Sequence, residues 1–262
     1  MASSVSSQGL RFPQTLLLSP PPKPGSRLPS TRAAPLVRSA SAVASVRSQG
    51  PARRSDAVRS RFVARASASG ISPDISDVLG DVRIFTAAGE PVLFKDLWDQ
   101  NEGVAVVAML RHFGCICCWE LASALKESKA KFDSAGVKLI AVGVGPPDKA
   151  RTLAERLPFP MDCLYADPDR KSYDVLGLYY GLGRTFFNPA SAKVFSRFDS
   201  IQKAAKNYTI GATPDDRSTV LQQGGMLVFK GKELLYARKD EGTGDHAPLD
   251  DIFDICCKVP VS

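Results

Sequence analysis

The chain has two histidines in 262 residues and no long apolar run. Its most apolar stretch, Val104 to Leu110, falls far short of the ~20 residues a membrane-crossing helix needs, so no membrane span is expected. No Gly-x-Gly-x-x-Gly follows a strand pattern, so no nicotinamide cofactor is indicated and no cofactor is expected. The six cysteines (115, 117, 118, 163, 256, 257) include no two separated Cys-x-x-Cys pairs and no Cys/His set of zinc spacing, so no metal site is expected. Their spacing also lacks the look of a secreted disulfide framework. There is no internal repeat.

Acid is missing from the N-terminal quarter. Residues 1–66 hold 11 of the 34 Lys+Arg and one acid, Asp56, and are rich in Ser, Ala and Pro. This is the composition of an organelle transit peptide, and the prolines at 20, 21, 22 and 24 break any long amphipathic helix, which favours a plastid over a mitochondrion. Residues 1–66 are therefore expected to be a disordered transit peptide, with 67–80 a loose lead-in, the fold beginning near Asp81, and a location in the chloroplast stroma. The residues beyond this leader include 23 basic and 26 acidic side chains. The formal charge of +7 thus belongs to the leader, and a nucleic-acid surface is not implied.

What the chain does have is concentrated in residues 104–120. Val104 to Leu110 is apolar without alternation, the pattern of a strand buried on both faces. Arg111, His112 and Gly114 interrupt it, three thiols follow at Cys115, Cys117 and Cys118, and Leu121, Leu125 and Phe132 then repeat with helical spacing. The thiols are placed at the end of a central strand and in the first turn of a helix. There the unpaired N–H groups and the helix dipole favour a thiolate. Cys115 and Cys118 form a Cys-x-x-Cys pair one helical turn apart, within reach of a disulfide. Arg111 and His112 add positive potential, His112 being the better placed to tune the thiols by charge. His246, in the loop Gly242-Thr-Gly-Asp-His246, is expected on the same side of the fold.

The remaining pattern runs in order. Val82–Thr86 is a short strand, Ala87–Pro91 a turn and Leu93–Trp98 a helical turn. Val137–Val144 is a second core strand, parallel to the first across the thiol helix. Asp148–Leu157 is a helix, Cys163–Ala166 a strand, and Asp169–Leu178 a helix. Residues 179–219 form an insertion with a basic helical part, 191–208. Gly224–Lys230 and Glu233–Arg238 form a hairpin, and Pro248–Cys257 is a closing helix. Cys163, Cys256 and Cys257 are expected to be packing groups.

The strand-thiol-helix-strand order with a late hairpin is the thioredoxin arrangement. Leu110-Arg-His-Phe-Gly-Cys-Ile-Cys-Cys118, Leu221-Gln-Gln-Gly-Gly225 and Gly242-Thr-Gly-Asp-His246 resemble the peroxiredoxin-like 2 family, thioredoxin-like proteins with an AhpC/TSA-type antioxidant domain, and within it the plant chloroplast branch. The resemblance implies an α/β, thioredoxin-like domain over 81–262: a central mixed sheet flanked by helices, a peroxiredoxin-like N-terminal extension, and an insertion before the C-terminal hairpin. It implies thiol-disulfide or peroxide oxidoreductase chemistry at Cys115 and Cys118, with a thioredoxin or glutathione system as electron donor. A related branch reduces a prostaglandin endoperoxide, so the substrate varies within the family. Two departures stand out. Gln223-Gly-Gly225 occupies the place of the thioredoxin cis-proline, and no Pro-x-x-x-Thr-x-x-Cys precedes the thiols. The N-terminal thiol of such a pair is usually the nucleophile, whereas the peroxiredoxin alignment favours Cys118, so the order of attack stays open, with Cys117 a second possible resolving thiol. A non-enzymatic redox sensor or adaptor is the alternative reading.

Overall fold

The computed structural model describes residues 70–256. The leader assigned to residues 1–66 and Cys257 lie outside the described residues. The strands are β1 (Arg83–Thr86), β2 (Pro91–Leu93), β3 (Val104–His112), β4 (Val137–Val144), β5 (Leu164–Asp167), β6 (Gly225–Lys230) and β7 (Glu233–Lys239). They form one mixed sheet in the order β2-β1-β5-β4-β3-β6-β7. β3 runs parallel to β4 and antiparallel to β6. The helices are α1 (Ile75–Gly80), α2 (Ile116–Ser134), α3 (Pro147–Arg156), α4 (Lys171–Val175), α5 (Leu182–Phe186), α6 (Phe198–Ala205) and α7 (Leu249–Cys256). This is the expected thioredoxin-like arrangement. Among the described residues no helix is long and apolar enough to cross a membrane.

β3 lacks polar alternation because both its faces are covered. Val104, Val106, Ala108 and Leu110 pack with α2 and α7, while Ala105, Val107 and Met109 pack into a second core with Ile84, Phe94, Trp98 and Phe229. Each such side chain fully withdrawn from water contributes about 1.5–3 kcal/mol, which makes this strand the anchor of the sheet. α2 ends where Gly136 takes φ +67° and its N–H caps the Asp133 carbonyl. β4 then returns parallel to β3, completing the βαβ unit.

The chain departs from the expected organisation ahead of and beyond this unit. The stretch 67–80 is more than a loose lead-in. α1 lies within it, and Ile71, Ile75 and Leu79 are buried in the second core, so packing begins about ten residues before Asp81. Pro91–Leu93, read as the end of a turn and the start of a helical turn, is instead strand β2, paired with β1. The long helix expected over 169–178 is the short α4, because Gly177 adopts φ +59° and turns the chain. The insertion breaks into α5, a 3-10 stretch Pro189–Arg197, and α6.

Candidate active site

The sequence puts the thiols at the C-terminal edge of the parallel strands, where an open α/β sheet leaves its crevice. β6 pairs with β3 only as far as Met109, opposite Gly225. Beyond that point the backbone of β3 is irregular, and the Tyr173 hydroxyl reaches the carbonyls of Leu110 and Val142. Three residues after β3 ends at His112, Cys115 stands at the N-cap of α2, and its carbonyl accepts the first helical N–H groups, from Cys118 and Trp119.

The three thiols are free, meet at Cys115 Sγ and are shifted in opposite directions in acidity. The thiols of Cys117 and Cys118 both donate to Cys115 and hold it well below the usual thiol range; Arg111 adds positive charge, His112 adds a smaller share when protonated, and burial opposes them. Cys118 is pushed well above that range by burial and by its bond to Cys115, and its sulfur accepts the Arg111 backbone N–H at 3.2 Å. Cys117 is also raised, first by its bond to Cys115 and then by burial. The arrangement sets one acidified sulfur against two donors.

Arg111 is the cation of the site. It is 4 % exposed, and its guanidinium spans three acceptors: Nη1 to Cys115 Sγ at 3.4 Å, Nε to the Gln222 carbonyl at 2.9 Å, and Nη2 to the Val220 carbonyl at 2.5 Å. The planar fork serves both carbonyls and the sulfur at once, which an ammonium could not do in this geometry. His112, given the larger tuning role from the sequence, is instead a minor contributor. Burial lowers its pKa, so that its neutral form is favoured, and its Nδ1 has no partner among the described residues.

The other histidine reaches the thiol helix directly. His246 Nε2 lies 3.2 Å from the Cys117 carbonyl and Nδ1 3.0 Å from Asp240 Oδ2, with both side chains almost wholly buried. Its neighbour in the motif, Asp245, is committed elsewhere, to Lys193 and Arg238. Burial pulls the His246 pKa down, but the hydrogen bond and charge of Asp240 outweigh it and the net shift is upward; burial pushes Asp240 itself up. A histidine raised in the folded state contributes stability that is full below its unfolded value of ~6.5 and is lost as pH climbs through the folded value. Asp240, raised as well, acts in the same sense at lower pH. The unfolding midpoint is therefore expected to fall between neutral and mildly alkaline pH, and to fall less in His246→Gln. Parallel pH profiles for the two proteins would remove the charged pair from the account.

The insertion roofs this site. A Cβ on Gly114 would sit 1.9 Å from Thr213 Oγ1 and 2.5 Å from Thr213 Cα, and one on Gly145 would sit 2.8 Å from Pro214 Cγ. Tyr208 donates to the Gly114 carbonyl at 2.9 Å. Cys115, next to Gly114, is 6 % exposed. On the far side of Cys117, Gly244 approaches so closely that a Cβ there would lie 3.2 Å from Cys117 Sγ. Gly244 and His246 also line a cavity of about 540 Å³ with Glu120, Leu121, Arg197 and Ser200. Gly114→Ala cannot be relieved by a rotamer change, because Thr213 backbone is in the way. It should cost ~1–3 kcal/mol and accelerate alkylation of Cys115 at fixed pH. Unchanged stability and labelling would mean that 213–214 does not close over the loop.

The fold is a thioredoxin-like sheet whose thiol helix is capped by a cysteine beside a buried arginine. An AhpC/TSA antioxidant enzyme model matches residues 124–242. Over 208 residues the chain is 34% identical to the Arabidopsis thaliana "Thioredoxin-like protein AAED1, chloroplastic", covering 78% of this chain and 82% of that protein. It is 33% identical over 184 residues to the Bos taurus "Prostamide/prostaglandin F synthase", covering 69% and 86%. Among solved structures, a Xanthomonas campestris peroxiredoxin Q superposes with a TM-score of 0.48 at 11% identity, covering 71% of this chain and 95% of that one. The chain belongs to the peroxiredoxin-like 2 family of AhpC/TSA antioxidant proteins.

The sequence singled out Cys115, Cys117, Cys118, Arg111 and His112, and the structure brings all five together. It missed Asp240 and the carbonyls of Val220 and Gln222. Asp240 ends the hairpin, six residues before His246, with no spacing signal to mark the pair. Backbone acceptors leave no signature in sequence.

Proposed function

We propose that this chain is a thiol-dependent oxidoreductase of the chloroplast stroma that reduces a peroxide or a disulfide, with Cys115 as nucleophile and Cys118 as resolving thiol. The observation that carries this reading is Arg111 Nη1 held 3.4 Å from Cys115 Sγ at a helix N-cap. A thiolate stabilised this way attacks the peroxide O–O bond. One oxygen stays on sulfur as a sulfenic acid and the other leaves as alkoxide, which takes up a proton. The Cys118 thiol then displaces hydroxide, giving the Cys115–Cys118 disulfide and water, and a dithiol or two monothiols restore the pair. Cys117, bonded to the same sulfur, is the alternative resolver. Arg111 acts on the nucleophile by charge. The thioredoxin or glutathione system is the proposed donor. The name of the Arabidopsis relative supports the chloroplast and that of the cattle relative supports enzymatic turnover.

Burial of all three thiols favours one second reading, a sensor whose disulfide reports redox state to a partner. Turnover separates them. With excess thiol donor, an enzyme consumes many equivalents of hydroperoxide or disulfide, and a sensor stops after one. Peptide mass mapping of the oxidised protein should join Cys115 to Cys118 and leave Cys163 reduced.

A further inference from the structure

Segment 180–210 carries seven of the nine large apolar side chains that stand most open to solvent among the described residues: Tyr180, Leu182, Phe186, Phe187, Phe195, Phe198 and Ile210. Phe187 and Phe195 are each 82% exposed. Single exposed apolar residues are ordinary, but this density in one short segment marks a contact surface. The segment is also basic. Arg184, Lys193, Arg197, Lys203 and Lys206 face one acid, Asp199, whereas the rest of the chain from residue 67 onward holds 18 basic and 25 acidic residues. Arg184, Lys193 and Arg197 are engaged by Glu241, Asp245 and Glu120. Lys203 and Lys206 are exposed and form no ion pair among the described residues.

We infer that segment 180–210 docks the protein on an anionic lipid surface, its phenylalanines entering the headgroup layer and Lys203 and Lys206 facing the lipid charges. Charge complementarity selects this occupant. The chain's own first 66 residues carry the same sign as the segment and would be repelled. None of the exposed rings lines the cavity beside α2, so the rings are offered to solvent rather than to that cavity. A fluid acceptor that closes round each ring suits that arrangement, as in interfacial helices with basic and aromatic residues. Each lysine near such a surface and each buried ring adds to the affinity. The inference deepens the proposed redox reading, because the same insertion roofs Cys115. Docking would bring the thiolate to hydroperoxides of lipid chains, which stay in the bilayer.

The test uses the full chain carrying Phe187→Trp. The native indoles, Trp98 and Trp119, are buried, so the new one is the solvent-facing reporter. The probe is vesicles of phosphatidylcholine with phosphatidylglycerol, in which the acyl chains are brominated to quench a nearby indole. The expected result is a blue shift and quenching on vesicle addition, repeated with Phe195→Trp. Adding Lys203→Glu and Lys206→Glu should weaken the vesicle-dependent signal at least about tenfold. An indole that keeps its aqueous emission with vesicles present overturns the inference, even if the protein is retained on them through its basic leader. A blue shift that grows with protein concentration and needs no lipid also overturns it, assigning the surface to a second copy. Quenching that persists in a protein without peroxide turnover sustains the docking surface and removes the proposed chemistry instead.

Discussion

Replacing Cys115 with serine is expected to lower turnover at least ~10³-fold, because a serine hydroxyl in this position does not ionise and no other thiol is held as its anion. Cys118 and Cys117 are both raised in pKa, and each donates to Cys115. Removing Cys115 therefore removes the acceptor as well as the nucleophile, and neither neighbour inherits its environment. Cys118→Ser should behave differently. The first equivalent of peroxide is consumed at close to the normal rate, and the protein then stalls as a sulfenic acid or passes its oxidation to Cys117. Single-turnover kinetics with a sulfenic-acid trap separates these fates. If Cys115→Ser keeps the burst and Cys118→Ser loses it, the order of attack is the one the peroxiredoxin alignment favours.

Arg111→Met is expected to have the second largest effect, on two observables at once. The methionine fills much of the same volume but leaves the Gln222 and Val220 carbonyls without their donor and the Cys115 sulfur without its cation. Each acceptor stranded in this way costs ~1–3 kcal/mol, so for the two carbonyls the loss of stability should lie at roughly 2–6 kcal/mol. The Cys115 pKa should rise, since the charge that favours its anion is gone, and the pH profile of thiolate ultraviolet absorbance will shift upward with it. Arg111→Lys keeps the charge but not the fork. It should restore more of the thiolate than of the stability. A Met variant with unaltered thiol titration would show that the two neighbouring thiols alone create the anion.

The parts of the molecule that were legible from sequence are those with local causes. The central strand announced itself by an apolar run without alternation, and the thiol helix by cysteines followed by leucines at helical spacing. Two short apolar runs, Gly224–Lys230 and Glu233–Arg238, marked the hairpin. What escaped has its cause far along the chain. Arg111 reads as one more charge near a thiol until the carbonyls of residues 220 and 222 are seen to fix it. His112 looked the better tuning group because histidine titrates near neutrality; its burial, which decides the matter, depends on every element packed around the loop. β2 was hidden by its three-residue length and its proline, and α1 by its six-residue length, its buried apolar residues finding partners only in the assembled second core.

The contact of Thr213 with Gly114 has a kinetic consequence. Cys115 is 6 % exposed and Thr213 rests on the adjoining Gly114, so if this strap lifts, a reagent is expected to meet the sulfur chiefly in the open fraction of molecules. Alkylation then behaves like amide hydrogen exchange. With a slow reagent, the observed rate scales with the open population and reports a free energy. With a fast one, it levels off at the opening rate and no longer depends on reagent concentration. The same ceiling would apply to catalysis at high peroxide concentration, where the limiting rate would be that of a loop and not of sulfur chemistry.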